Sequence, residues 1–276
     1  MASNRKTITA HCIIKNEENF VGFAIRSVID YVEKVLIFDT GSTDKTVDII
    51  EQLVKEYPKK IIFEKKGDCP KEKHSVLRQE MLDKTRTDWF MIVDGDEVHT
   101  KRGMEEAIDL INSRDDLDWI VSPYYLCVGD IYHIYKKEWY NEFWGRSGCF
   151  TPRFIKKIDG IYWSGNYEED TLYRQDGVKF FNNKYLFFLK NKYWHLTYLE
   201  RSSADRDVYT SGIEKTRQGK RRLTYFMIGK KIIESPPEVL INLKKMGYLE
   251  SLLNFYKLLL MKPSLLFRRL LYKIKR

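Results

Sequence analysis

The segment from Trp89 to Glu97 reads WFMIVDGDE, and the fold expected for the chain follows from it. Five apolar residues in succession, bounded by polar ones, are typical of a buried parallel strand. Asp94 and Asp96 flank a glycine directly after them, so a tight turn lets both carboxylates face one site. Oxygen ligands of this kind select Mg²⁺ or Mn²⁺. An isolated D-x-D is more often an ordinary turn with solvated acids, but the strand before it favours a metal site.

Short apolar runs alternate with amphipathic stretches around this segment. Strands are predicted at residues 7–14, 35–39, 61–64 and 89–93, and helices at 20–32, 42–56, 71–84 and 101–112. This alternation predicts an α/β fold in which helices cover both faces of a mostly parallel central sheet. Ligands of such sheets bind beyond the carboxyl ends of the strands. Polar, mostly acidic loops follow three of the predicted strands, at residues 15–18, 39–42 and 94–97.

Two of the predicted helices carry more detailed expectations. Ser42 or Thr43 is the expected N-cap of the second helix, because a hydroxyl can accept a hydrogen bond from its first free N–H groups. Val76, Leu77 and Met81 are expected to face inward from the third helix. Beyond these helices the composition changes. Aromatic residues, glycines and short β-like runs then predict a mixed, loop-rich extension of the same sheet.

Four motifs stand in a fixed order in the first half of the chain. They are KNEE at 15–18, DTGSTDKT at 39–46, Arg78, and DWFMIVDGDE at 88–97. In this order and spacing they resemble the family 2 glycosyltransferases of GT-A fold, and more closely a bacterial branch of that family. The resemblance is specific over residues 7–112, continues more faintly to about 200, and stops there. It implies a Rossmann-like GT-A domain that uses a nucleotide-diphosphate sugar.

The resemblance implies roles for residues on the nucleotide side. Asn16 and Glu17 stand where the family meets the base and ribose, and Asp39 matches an acid that contacts the same parts. The family often has a second acid where this chain has Thr40, so that contact is expected to differ here. Arg78 matches the helix arginine that precedes the D-x-D strand. Strand-end capping is the alternative for the first three, and a surface ion pair for Arg78.

The resemblance also implies a metal site for Mn²⁺ or Mg²⁺. In the family, the residue matched by Asp96 binds the metal, and the one matched by Asp94 touches the ribose, or the metal through water. His195 matches a histidine frequent at that point of the branch, where it is a third metal ligand or a diphosphate contact. A structural histidine is the alternative. Arg153 matches a frequent R-x-F arginine to which no role is assigned.

A carboxylate must take the proton of an acceptor hydroxyl. The segment WSGNYEED at 163–170 contains three candidates. The branch pattern W-x-G-x-H-E matches Glu168, whereas the broader E-D pattern of the family matches Asp170, and Glu169 lies between them. The alternative is that these acids cap a helix beginning near Thr171.

These motifs predict a metal-dependent, inverting glycosyltransferase. It would move a hexosyl or related sugar, from a UDP-sugar as the expected donor, to a glycan, lipid-linked or surface-polysaccharide acceptor. The expected parts are a nucleotide-sugar-binding half at 1–118, an acceptor-binding and catalytic half at 119–235, and basic amphipathic helices at 236–276. One alternative is a nucleotidyltransferase, which should have a basic Gly-rich loop in place of the acidic KNEE. Another is a non-catalytic, membrane-associated scaffold of the same fold.

Positive charge is concentrated at the end of the chain. Residues 251–276 contain seven bases and no acid, and so account for most of the formal charge of +9. The nearly neutral remainder argues against a nucleic-acid partner. The apolar runs of 251–276 are too short to span a bilayer, but suit a helix lying on an anionic membrane surface. The alternative is a helix packed on the enzyme body or on a second subunit of a homodimer.

Cysteine usage and the first residues bear on the compartment. The four cysteines are far apart and form no C-x-x-C pair, which fits a reducing cytosol. The first ten residues have no apolar core of the kind a signal peptide needs. We therefore expect a cytoplasmic protein, peripheral at the inner face of the cell membrane.

Deletion of residues 251–276 should abolish binding to anionic vesicles, because it removes seven positive charges together with apolar side chains. Each base near such a surface contributes about 1 kcal/mol. Co-sedimentation of full-length and truncated protein with phosphatidylserine vesicles measures the effect, with phosphatidylcholine vesicles as the control. Equal pelleting of both proteins would contradict the membrane interpretation and leave the packed-helix alternative.

Overall fold

Four parallel strands form one half of the central sheet. The computed structural model describes residues 5–134, 141–165, 171–182, 184–206, 230–232 and 234–243. The four strands are β1 (Ile8–Ile14), β2 (Lys34–Asp39), β3 (Ile61–Lys65) and β4 (Trp89–Ile92). β1 lies between β2 and β4, and β3 pairs with the outer side of β2, all in parallel. The parallel sheet predicted from the apolar runs is confirmed.

Helices cover both faces of these strands. They are α1 (Val21–Val28), α2 (Thr46–Glu56), α3 (His74–Lys84) and α4 (Lys101–Ser113). Side chains of α1, α2 and α4 share one buried cluster with Val35 and Ile37 of β2. Met81 of α3 packs instead against Leu36 and Phe38 of the same strand. Because alternate residues of a strand point to opposite faces, α3 lies on the face opposite the other three helices.

Two detailed expectations for the helices were wrong. α2 begins at Thr46, and its N-cap residue, Lys45, makes no side-chain capping hydrogen bond. Ser42 does not cap the helix, because its hydroxyl donates to the Asp39 carboxylate. Thr43 also lies before the helix, in the turn after β2. Val76, expected to face inward, is 61% exposed, whereas Met81 is fully buried.

The second half of the chain extends the sheet with mixed pairing. The remaining strands of the chain are β5 (Glu97–Val98), β6 (Trp119–Val128), β7 (Asp130–Ile134), β8 (Asn141–Phe143), β9 (Arg146–Gly148), β10 (Phe150–Lys156), β11 (Tyr162–Ser164), β12 (Thr171–Tyr173), β13 (Leu186–Phe188), β14 (Tyr193–His195) and β15 (Lys230–Lys231). β10 lies antiparallel between β4 and β6. β14 pairs with β6 in parallel and with β5 in antiparallel fashion. The mixed extension is thus as expected. Because β14 pairs with β5, it lies next to the turn that follows β4.

Two short hairpins, β8–β9 and β11–β12, lie outside the central sheet. Within the described residues, no helix is long and apolar enough to cross a membrane. Of the expected C-terminal helices, the structure describes only a 3-10 turn at Glu238–Leu240. The segment 251–276 lies outside the described residues, and its expected interfacial helix remains a prediction.

The fold buries a histidine on β1 in neutral form. His11 stacks on Phe90 of β4 with ring centroids 4.8 Å apart, and its Nε2 lies 2.6 Å from Thr85 Oγ1. Burial, assisted by the charge of Arg78, lowers the pKa of His11 to about 3. An unfolded histidine takes up a proton below about pH 6.5. Acid therefore favours the unfolded chain at this position, and stability should fall as pH decreases from 6.5 towards 3.

His11→Gln should remove this part of the pH dependence. At pH 5, one histidine held neutral only in the folded state lowers the free energy of unfolding by about 2 kcal/mol relative to pH 7. Urea unfolding of both proteins at pH 7 and pH 5 measures the difference. The loss of stability between the two pH values should be smaller in the variant by about that amount, whatever the variant's stability at pH 7. An equal loss in both proteins would contradict the neutral, buried imidazole.

Candidate active site

Three loops meet at the carboxyl ends of β1, β2 and β4. The loop after β1 contacts the loop after β2, because Asn16 N donates to Ser42 Oγ at 2.9 Å and Thr43 N donates to Asn16 Oδ1 at 2.8 Å. The loop after β1 also crosses the D-x-D turn. A Cβ atom on Gly95 would lie 2.7 Å from Cγ of Glu17, so the turn requires glycine there. Motifs far apart in sequence are therefore in direct contact.

Asn16 and Asp39 hold the shape of these loops. Asn16 has φ = +55°, a left-handed conformation that asparagine tolerates better than most residues. The Asp39 carboxylate accepts hydrogen bonds from the backbone N–H of Gly41 and of Ser42, each at 3.1 Å. Both side chains are buried. The contacts described are thus of the strand-end capping kind, and the expected roles of these residues at the base and ribose remain predictions.

Arg201 joins two buried carboxylates from different loops. Its Nη1 donates to Asp96 Oδ2 at 2.7 Å and to Glu17 Oε1 at 2.9 Å. All three side chains are buried. Sequence analysis missed Arg201, because the only signal is indirect: two acids buried side by side need a cation. The sequence does not indicate which base approaches them.

Arg153 joins Asp94 and Glu97 in the same way, by donating hydrogen bonds to both carboxylates. Its Nη2 donates to Asp94 Oδ2 at 3.1 Å and also to Glu97 Oε1, which accepts a second hydrogen bond from Tyr193 OH at 2.7 Å. On the other side of Asp94, Arg78 Nη2 lies 3.9 Å from Oδ1. The R-x-F arginine, which had no assigned role, thus contacts two acids of the D-x-D segment.

These arginines set the charge of the site. Burial raises the pKa of Asp94, but the positive charges of Arg153 and Arg78 outweigh it and lower the pKa to about 2. The pKa of Glu97 is raised, first by burial and then by the neighbouring charges of Asp94 and Asp96, while the charge of Arg153 opposes the shift. The lowered pKa of Asp94 means that its carboxylate is ionised at neutral pH.

His195 lies beside Asp96. The pairing of β14 with β5 places His195 opposite Glu97 in the sheet, and its Nε2 is 3.6 Å from Asp96 Oδ2. Burial lowers the pKa of His195, although the charge of Asp96 opposes this. A neutral imidazole nitrogen next to a carboxylate is a suitable pair of ligands for a divalent ion.

The described side chains would supply only some of the ligands that a metal ion needs. Among the described residues, no group of three His, Cys, Asp or Glu side chains is placed to hold an ion. Asp94, expected as a further ligand, directs Oδ2 to Arg153, and Asp96 likewise directs Oδ2 to Arg201. Asp96 and His195 are neighbouring side chains of the ligand type that divalent ions accept.

The hairpin β11–β12 is fixed to α3 beside this site. Ser75 Oγ donates to the Gly165 carbonyl at 2.6 Å, and Trp163 N donates to Gln79 Oε1 at 2.8 Å. The Arg78 guanidinium lies 5.8 Å from the centre of the Trp163 ring, while its other neighbour is Asp94. The strands leading into and out of the 166–170 segment are therefore anchored next to the D-x-D turn.

The three candidate bases, Glu168, Glu169 and Asp170, lie outside the described residues. The alternative that they cap a helix beginning near Thr171 was wrong, because Thr171–Tyr173 forms β12. The pairing of Ser164 with Thr171 shows that the segment connects two strands of one hairpin. Which of the three acids takes a proton stays a prediction.

Comparisons with known proteins identify the family of the chain. The family model "Glycosyl transferase family 2" matches residues 10–196, well over half of the chain. The SPbeta prophage-derived glycosyltransferase SunS of Bacillus subtilis (strain 168) is 29% identical over 124 residues, which are 44% of this chain. The match spans only 28% of the length of that relative. The glycosyltransferase SunS of Bacillus phage SPbeta gives the same values.

Solved structures are similar at lower identity. S. aureus TarS 1–349 is 14% identical, with a TM-score of 0.48 and coverage of 79% of this chain and 64% of that one. The mannosyltransferase PcManGT of Pyrobaculum calidifontis, solved with GDP-Man and Mn²⁺, is also 14% identical, with a TM-score of 0.38 and coverage of 44% and 36%. With TM-scores below 0.5, neither structure supports an inference about the substrate of this chain.

Proposed function

Because the chain belongs to glycosyltransferase family 2 and is a glycosyltransferase, we propose that it transfers one sugar from a nucleotide-diphosphate donor with inversion at the anomeric carbon. The observation that carries the proposal is the pair of the buried Asp96 and the partly buried His195 at the strand ends, next to the ionised Asp94. In the transfer, an acceptor hydroxyl attacks the anomeric carbon as the bond to the diphosphate oxygen breaks. The site must therefore stabilise a leaving diphosphate and remove one proton.

Asp96 and His195 would hold Mn²⁺ or Mg²⁺ in this proposal. When bound, the ion supplies positive charge to the leaving diphosphate. His195 suits this role because burial lowers its pKa and leaves a ring nitrogen free of a proton at neutral pH. Asp96 suits it because its carboxylate is buried 3.6 Å from that imidazole.

The nucleotide would lie across the three loops at the strand ends. We assign it to Asn16, Glu17 and Asp39 at the base and ribose, to Asp94 at the ribose or, through water, the metal, and to Arg78 beside Asp94. The support is their position at one edge of the sheet, where ligands of such folds bind. A uridine nucleotide is the proposed donor, and a glycan or lipid-linked molecule is the proposed acceptor. The boundary at residue 118 between donor and acceptor halves is also a proposal.

Glu168 is the proposed base that takes the acceptor proton, with Asp170 and Glu169 as alternatives. The support is indirect, and comes from the hairpin that carries them. Its strand residue Trp163 lies beside Arg78, which in turn lies 3.9 Å from Asp94. The strand that precedes these acids in sequence is thus linked to the D-x-D turn through Arg78, and this link supports the assignment.

Asp96→Ala should abolish hydrolysis and transfer of nucleotide sugars at every Mn²⁺ or Mg²⁺ concentration. Loss of one preorganised electrostatic partner of the leaving group costs about 10²-fold or more in turnover. A screen of UDP- and GDP-sugars with each metal measures it. Asp109→Ala, on the exposed face of α4, is the matched control and should behave as wild type. Recovery of the Asp96 variant by more nucleotide alone would show that Asp96 contacts only the sugar or ribose.

Glu168→Gln should lower turnover by about 10²-fold or more, because the amide keeps the shape of the side chain but cannot accept a proton. Donor binding should persist, and isothermal titration with the donor nucleotide and Mn²⁺ checks it. Glu169→Gln and Asp170→Asn are the comparisons. If only Asp170→Asn has this effect, Asp170 is the base and the match to the E-D pattern is the correct one.

A further inference from the structure

The segment after β14 is attached to the loop after β1 at several points. Asn19 N donates to the Arg201 carbonyl at 3.0 Å, and Asn19 Nδ2 donates to the Glu200 carbonyl at 2.9 Å. Two residues further on, Ser203 N donates to Glu18 Oε1 at 2.6 Å. These hydrogen bonds hold the backbone of residues 200–203 against the KNEE loop, and none of them involves the Arg201 side chain.

The same segment is also tied to the D-x-D turn. Leu196 N donates to the Asp96 carbonyl at 2.8 Å, directly after His195. Residues 196–203 thus run from the turn after β4 to the loop after β1. The Arg201 side chain completes the connection, since its Nη1 binds both Asp96 Oδ2 and Glu17 Oε1.

Arg201 is a cation shared by two buried carboxylates. Glu17 and Asp96 accept hydrogen bonds from one nitrogen atom, and the Glu17 side chain packs on Gly95 beside Asp96. Like charges this close in a buried place repel strongly. Arg201 removes this repulsion and fixes the Asp96 carboxylate through Oδ2.

We propose that Arg201 is a positioning residue of the donor site: it orients the Asp96 carboxylate and adds positive charge where a metal-bound nucleoside diphosphate would lie. This inference rests on the proposed function. The inference goes beyond the proposed function because it assigns a role to a residue after position 196, where the family match ends. Arg201 touches no reacting atom in this proposal, and acts through Asp96 and Glu17.

The test compares nucleotide affinity with stability in three variants. Arg201→Gln removes the charge, Arg201→Lys retains it, and Arg174→Gln is the matched control. Arg174 donates to Asp118 Oδ2 at 2.5 Å in a partly buried pair outside the site, so its loss removes an arginine–aspartate pair without touching Asp96. Thermal unfolding reports stability, and isothermal titration with UDP, GDP or dTDP at saturating Mn²⁺ reports affinity.

Arg201→Gln should weaken binding of the Mn²⁺–nucleotide complex by about tenfold or more, as for other residues that orient a metal ligand. Arg201→Lys should recover part of the loss. Arg174→Gln should bind as wild type even where it lowers the melting temperature. If Arg201→Gln fails to fold, Arg201→Lys against wild type decides on its own, and should bind more weakly.

Two results would overturn the inference, and they are distinguishable. If wild type binds Mn²⁺–nucleotide and the Arg201 variants bind it equally well or more tightly, Arg201 has only a structural role, and the proposed function stands. If wild type binds none of the three nucleotides with Mn²⁺, the proposed function fails, and the role of Arg201 fails with it.

Discussion

Burial of several carboxylates in one small volume is the constraint on which the site depends. Glu17, Asp94 and Asp96 follow the ends of β1 and β4, Glu97 begins β5, and all but Asp94 are buried. Such a cluster is stable only with cations in hydrogen-bonding contact, because an unpaired buried charge costs several kcal/mol. Arg153 and Arg201 supply these cations, and both come from the second half of the chain. The acidic loops and the mixed half of the sheet are therefore one unit.

The parallel half of the fold was predictable because its signals are local. Apolar runs, helical periodicity and the Gly95 turn are all readable over a few residues. The errors concerned individual side chains, and one of them arose because a hydroxyl had two possible partners. Ser42 could have capped α2, but a neighbouring carboxylate, Asp39, competes for the same hydroxyl and binds it. Val76 fits an inward stripe by spacing alone, yet α3 is rotated so that this residue faces solvent.

The contacts of Arg153 and Arg201 were not predictable, because these two arginines are brought in by long-range strand pairing. Arg153 reaches Asp94 since β10 inserts beside β4, and Arg201 follows β14, which reaches the turn by pairing with β5. A sequence shows that acids need partners, but not which base arrives. The motif residues were found through their resemblance to a family. The base among 168–170 rests on that resemblance alone, since these residues lie outside the part of the chain described.

The position of β10 also has a consequence for biosynthesis. On the ribosome, β1 to β4 emerge first, and β4 then has a neighbour on only one side, with its other row of backbone N–H and C=O groups exposed. An unpaired, apolar strand edge is a template for association with other chains. The edge closes only when residues 150–156 have been made. A fragment ending near residue 118 would keep it open, so aggregation, rather than loss of activity alone, is the characteristic failure of a chain cut at that point.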